Sequence, residues 1–91
     1  MAVVIKFKHQ GFTSDKYHQA IKQLEAAGAG NPKGRSYHVC YGDSNEVDIL
    51  DVWNSMEDFE AFGKTLVPIL TSLGVNLLPP NIQEMYGEIR G

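Results

Sequence analysis

Trp53, His38 and Cys40 are the side chains of this sequence whose types offer chemistry. Trp53 closes an apolar, alternating run, where its indole N–H can orient a planar ligand; its size makes it equally a core residue. An imidazole, with an unperturbed pKa of about 6.5, suits proton abstraction from a phenol or enol, which makes His38 the candidate general base; a hydrogen-bonded structural histidine is the alternative. The spacing His38-Val39-Cys40 puts imidazole and thiol on one face of a strand. Two groups do not complete a zinc site, and no third or fourth ligand follows at metal spacing, so no metal is expected. No nucleophilic triad assembles around Cys40, which reads as a small strand residue. His9 and His18 read as solvent-facing, His18 lying off the apolar stripe of its helix. The glycine-rich stretch Gly28–Gly34 fails as a phosphate cradle: Lys33 stands where a glycine is required, and the stretch follows a helix instead of opening one. It reads as a linker.

The elements that position these residues follow from periodicity. Val3, Ile5 and Phe7 alternate with Val4, Lys6 and Lys8, predicting a strand over 2–9. Thr13 or Ser14 caps a helix over 14–27, whose stripe is Tyr17, Ala20, Ile21 and Leu24, with Gly28 at its end. Strands over 35–41 and 46–53 flank a polar turn and form a hairpin. Asn54 with Glu57 resembles a capping box opening a second helix, striped by Met56, Phe59, Phe62, Leu66, Ile69/Leu70 and Leu73. Pro68 predicts a kink or split near 64–67. Pro79-Pro80 leads into a last strand over 81–89.

The order βαββαβ, with short connections and right-handed crossovers, gives an α+β, ferredoxin-like fold: a four-stranded antiparallel sheet with both helices on one face and the first strand between the third and fourth. Ninety-one residues fit this as a single domain over 1–91. The hairpin register decides what meets Trp53. A four-residue loop Gly42–Asn45 places His38 opposite Ile49 and on Trp53's face; a loop of three or five residues puts Tyr37 and Tyr41 there instead. The four-residue loop is the expectation.

Charge narrows the partners. The net charge of −3 argues against nucleic acid, whose phosphates need a clustered basic surface. Residues 1–40 carry +4 and residues 41–91 carry −7, which reads as two halves of one fold pairing with each other, Lys6 and Lys8 beside strands bearing Asp48, Asp51, Glu84 and Glu88. No apolar run reaches the length of a membrane span, the N-terminus is too short in apolar residues for a secretory signal, and Cys40 is the lone cysteine. A cytoplasmic protein is expected.

A sheet with helices on one side should be polar on the other. Here Val4, Leu50 and Val52 lie on one parity while Val3, Ile5, Val47, Ile49 and Trp53 lie on the other. Apolar groups on both faces predict that a second copy covers the helix-free face in a homodimer.

In Tyr37-His38-Val39, in the run Asp51-Val52-Trp53-Asn54-Ser55-Met56-Glu57-Asp58-Phe59, and in Leu66-Val67-Pro68 and Pro79-Pro80, the chain resembles the dimeric α+β barrel superfamily that includes antibiotic-biosynthesis monooxygenase-like proteins, and is similar to its small uncharacterised members. The resemblance implies the barrel dimer and a pocket between each sheet and its helices. Haem-degrading members use an Asn on the first strand, a Trp ending the third and a His on the second helix. Only Trp53 matches, and Phe62 occupies the histidine's place, so haem is not expected and no cofactor is implied. The reading is a dimer that binds a small apolar or aromatic molecule, with Trp53, His38 and Phe62 as ligand-binding candidates. The alternatives are a cofactor-independent monooxygenase acting on a phenolic or polyketide-like compound, and a structural module whose pocket is filled.

Overall fold

Alternation in the first strand sets the layering of the molecule. In the computed structural model, which describes residues 1–91, Val3–Lys8 forms β1, Ser14–Ala26 α1, Arg35–Asp43 β2, Glu46–Trp53 β3, Met56–Ser72 α2 and Asn81–Glu84 β4. The strands form one antiparallel sheet in the order β2-β3-β1-β4, with β1 central as the element order requires. Val3, Ile5, Val47, Ile49, Asp51 and Trp53 point toward the helices and are buried.

Two apolar clusters hold the layers together. One gathers Phe12, Ala20, Val47, Ile49, Leu70 and Val75; the other gathers Val3, Ile5, Leu24, Trp53 and Phe62. Phe7, Leu66 and Ile69 pack against both. Thr13 caps α1 by accepting the Lys16 N–H at 3.2 Å, and Ser55 caps α2 by accepting the Asp58 N–H at 3.2 Å. The α2 cap is thus Ser55, one residue beyond the expected Asn54, because the serine hydroxyl is the group that reaches the third amide of the first turn. Gly34, with φ +87°, passes so close to α2 that a Cβ would stand 2.2 Å from the Asp58 carboxylate, and its carbonyl accepts the Asn54 N–H at 2.7 Å.

Three further expectations are corrected. First, α2 is not split at Pro68 but runs as one helix from Met56 to Ser72. Lys64 and Pro68 both lie on the exposed side of the helix, so the carbonyl that loses its donor is solvated and no break is forced. Second, β4 ends at Glu84 and not at 89: its pairing with β1 closes at Val3↔Glu84, and Met85 adds a last bond to the Ala2 carbonyl. Third, the hairpin loop is Ser44-Asn45 alone, since Asp43 pairs with Glu46. The Asp43 carboxylate accepts the Asn45 N–H at 2.7 Å and closes the tighter turn.

The helix-free face carries Val4, Val39, Leu50 and Val52 together with the exposed Tyr37 and Tyr41. Lys8 and Asp48 form an ion pair across it at 3.4 Å, as the charge pattern anticipated. Asp51 points the other way.

Candidate functional site

A bulge in β2 assembles the site. Arg35 pairs with Trp53 and Tyr37 with Val52, leaving Ser36 as an extra residue. Strict alternation from His38 would turn Arg35 away from the helices; the bulge brings it back to the inner face. There its guanidinium lies 6.0 Å from the Trp53 ring centre and 5.5 Å from that of Phe62, a cation held over two aromatic faces.

His38 sits on the same inner face, opposite Asp51. A two-residue loop and a four-residue loop give one parity, so His38 shares Trp53's face as expected, but the register is shifted by two and its cross-strand partner is a carboxylate instead of Ile49. His38 Nδ1 is 2.5 Å from Asp51 Oδ1, and His38 Nε2 is 2.6 Å from the Tyr17 hydroxyl. Asp51 is only 2 % exposed. A carboxylate only accepts, so Nδ1 donates to it, and a ring that carries its one proton there accepts the Tyr17 hydroxyl proton at Nε2. Burial pushes the Tyr17 phenol above its ordinary pKa; Cys40 adds to this, Arg35 pulls it back and Asp51 adds again. Tyr17 therefore holds its proton and donates it. Burial, and then Asp48, also raise the Cys40 thiol, keeping it protonated and unreactive.

Tyr17, His38, Asp51 and Arg35 border a partly open cavity of about 40 Å³. It lies at the seam of the two clusters, walled by Tyr17, Ile21 and Leu24 of α1, Phe62 and Leu66 of α2, and Phe7, His38 and Asp51 of the sheet, with Arg35 beside them. At roughly 10–15 Å³ per water it holds about three waters.

Of the residues singled out in the sequence, His38 and Phe62 line this cavity. Trp53 is 0 % exposed and stands behind the wall, its ring 5.3 Å from Phe62 and 5.8 Å from Phe59. Its Nε1 has no hydrogen-bond partner. His18 is exposed, as expected. His9 is not: it is 5 % exposed, lines the cavity, and accepts the Leu78 N–H on Nδ1 at 2.9 Å. Burial lowers its pKa. The signal for this was present, since His9 continues the inward parity of Val3, Ile5 and Phe7, and the connection after α2 closes over it. Asp51 carried a comparable signal, a carboxylate on the inward parity of Ile49 and Trp53. Tyr17 carried none beyond its place on an apolar stripe. No three His, Cys, Asp or Glu side chains converge to hold a metal ion.

The fold is that of the antibiotic-biosynthesis-monooxygenase-like α+β proteins. SnoaB, a cofactor-independent oxygenase from Streptomyces nogalater, superposes with a TM-score of 0.63 over 99% of this chain and 96% of its own at 14% identity. A putative antibiotic biosynthesis monooxygenase from Deinococcus radiodurans gives a TM-score of 0.65 over 99% and 97% at 13% identity, and one from Chloroflexus aurantiacus 0.60 over 98% and 95% at 16% identity. The sequence matches no protein-family model and no curated protein. No helix is long and apolar enough to cross a membrane.

Proposed function

We propose that the protein is a homodimer that binds a small apolar or aromatic molecule in the cleft between sheet and helices, with His38 and Phe62 against the ligand. The observation that carries this reading is the cavity itself: an apolar hollow with one polar apparatus on its wall, the buried Asp51 with the half-buried His38 and Tyr17, and a cation, Arg35, beside it. Apolar walls with a few convergent polar groups are the usual makeup of a small-molecule site. Trp53 supports the wall from behind by fixing the Phe62 ring and the Arg35 guanidinium.

The dimer follows from the helix-free face. Val4, Val39, Leu50 and Val52 form an apolar strip there, and segment 85–91 arches over it, leaving an open groove of about 660 Å³. Tyr86 and Ile89 on that segment are 91 % and 98 % exposed. A second sheet packed on this face hides these groups at roughly 25 cal/mol per Å². In this reading the free Cys40 suits the cytoplasm, and a net charge of −3 leaves nucleic acid out.

The likeness to SnoaB, itself described as a cofactor-independent oxygenase, together with the imidazole base, favours one second reading: oxygenation of a phenolic or polyketide-like compound without a cofactor. Titration with planar phenols, followed by chemical shift changes at His38 and Phe62, tests the binding reading, which fails if a broad panel leaves both resonances in place. Oxygen uptake on hydroquinones and anthrones, lost in His38→Ala, is the expected result of the second reading, and no uptake across the panel rejects it.

A further inference from the structure

Hydroxyl, imidazole and carboxylate stand in sequence at the cavity: Tyr17 to His38 Nε2 at 2.6 Å, and His38 Nδ1 to Asp51 at 2.5 Å. A nucleophile in reach of a base that is itself oriented by a third group is the arrangement that activates weak nucleophiles, and it is recognised by geometry and roles, whatever the order of the residues in the chain. The binding reading sets His38 and Phe62 against the ligand and gives Asp51 no task of its own; it leaves unexplained why Asp51 is buried with an imidazole as its hydrogen-bonding partner and no Lys or Arg paired to it. Burying a carboxylate on such terms costs stability.

We propose that Tyr17 is an acyl-accepting nucleophile, with His38 its general base, Asp51 the positioning residue for His38, and Arg35 the cation that faces the negative charge of the acyl oxygen. The Tyr17 oxygen forms a bond to the acyl carbon while its proton passes to His38 Nε2. The bond from the acyl carbon to the leaving group then breaks, and the leaving group departs with that proton. Water attacks the acyl-Tyr17 ester with His38 again as base, releasing the carboxylic acid and restoring the phenol. The sum is hydrolysis of the donor, with no oxidant or metal consumed.

Chemistry selects the donor. A phenolate displaces a phenolate or thiolate of equal or lower basicity, and not an alkoxide, so the donor is an aryl ester or a thioester. The cavity of about 40 Å³ is open on one side, so the acyl group has to be small, acetyl-sized, with the leaving group directed outward. A phenol is protonated at neutral pH and burial pushes the Tyr17 pKa further up, which is why a base is required. This activity shares the cavity with the ligand reading but needs neither an aromatic ligand nor oxygen.

The test is p-nitrophenyl acetate added to the full chain near neutral pH, with release of p-nitrophenolate followed and the acetylated residues mapped by mass spectrometry. Tyr86 is the internal reference, since it is 91 % exposed and bonded only to Glu84. The expected result is acetyl on Tyr17 ahead of Tyr86, with Tyr17→Phe removing the burst. His38→Gln should lower Tyr17 acetylation about a hundredfold without changing that of Tyr86. Asp51→Asn should slow it and displace its pH profile, which a merely structural role would not do. Acetylation confined to lysines and Tyr86, or equal acetylation of Tyr17 with and without His38, overturns the proposal and leaves the ligand reading intact. If the variants do not fold, the Tyr17-to-Tyr86 ratio in the unaltered chain decides alone.

Discussion

Asp51 and His38 face each other across the β2–β3 ladder, and the carboxylate oxygen lies 2.5 Å from the ring Nδ1. The pairing fixes the imidazole by two constraints, a strand register and a hydrogen bond, and so determines which nitrogen is turned to the cavity. Removing the carboxylate leaves the ring held by Tyr17 alone. Asp51→Ala is expected to abolish the downfield, slowly exchanging Nδ1–H resonance of His38 and to leave Nδ1 without its partner at a cost of about 1–3 kcal/mol. Proton NMR and urea unfolding of the variant check both.

His9 makes stability depend on pH. Burial lowers its pKa below the ordinary 6.5, so the unfolded chain binds a proton that the folded one refuses. The contribution is complete above 6.5 and is lost as the pH falls through the lowered folded value. Urea midpoints should therefore drop on the acid side of 6.5. His9→Asn, which retains an acceptor for the Leu78 N–H, should flatten that drop; an unchanged slope would show that another group is responsible.

Trp53 is the sole tryptophan and is 0 % exposed. Its emission should be blue-shifted in the folded state and shift red in a single step on unfolding. Trp53→Ala should cost about 3–5 kcal/mol, as for other large-to-small changes in a packed core.

Leu50 lies at the middle of the helix-free face, across from Lys6 on β1 and Val39 on β2. Sedimentation should give a dimer for the native chain and a folded monomer for Leu50→Asp. A native chain that sediments as a stable monomer at micromolar concentration contradicts the proposed assembly.

Pro68 lies on the exposed side of α2, and the helix continues through it. Pro68→Ala restores the donor to the Lys64 carbonyl and should stabilise the fold by about 1–3 kcal/mol, seen as a higher unfolding midpoint with cavity chemistry unchanged.

The chain's periodicities determined the element order, the position of β1 and the parity that sends His38 and Trp53 to one face, because each is a local property of alternating or helical spacing. Parity survives any even change in loop length, so His38 was placed on the correct face although the loop is Ser44-Asn45 and not Gly42–Asn45. Register does not survive such a change. Whether His38 meets Ile49 or Asp51 depends on two residues at the turn, and only the folded hairpin decided it. The same holds for Arg35, which the bulge at Ser36 turns inward against strict alternation, and for Tyr17, whose stripe showed that it packs but not on what. His9 and Asp51 are within reach of the pattern: residue type suggests a surface histidine and a charge for lysine, whereas their parity points inside, where both are buried. Contacts between separate elements depend on how the layers dock and on local irregularities of the ladder. A one-dimensional pattern carries the facing of each strand but not the docking that joins a helix tyrosine to a strand histidine.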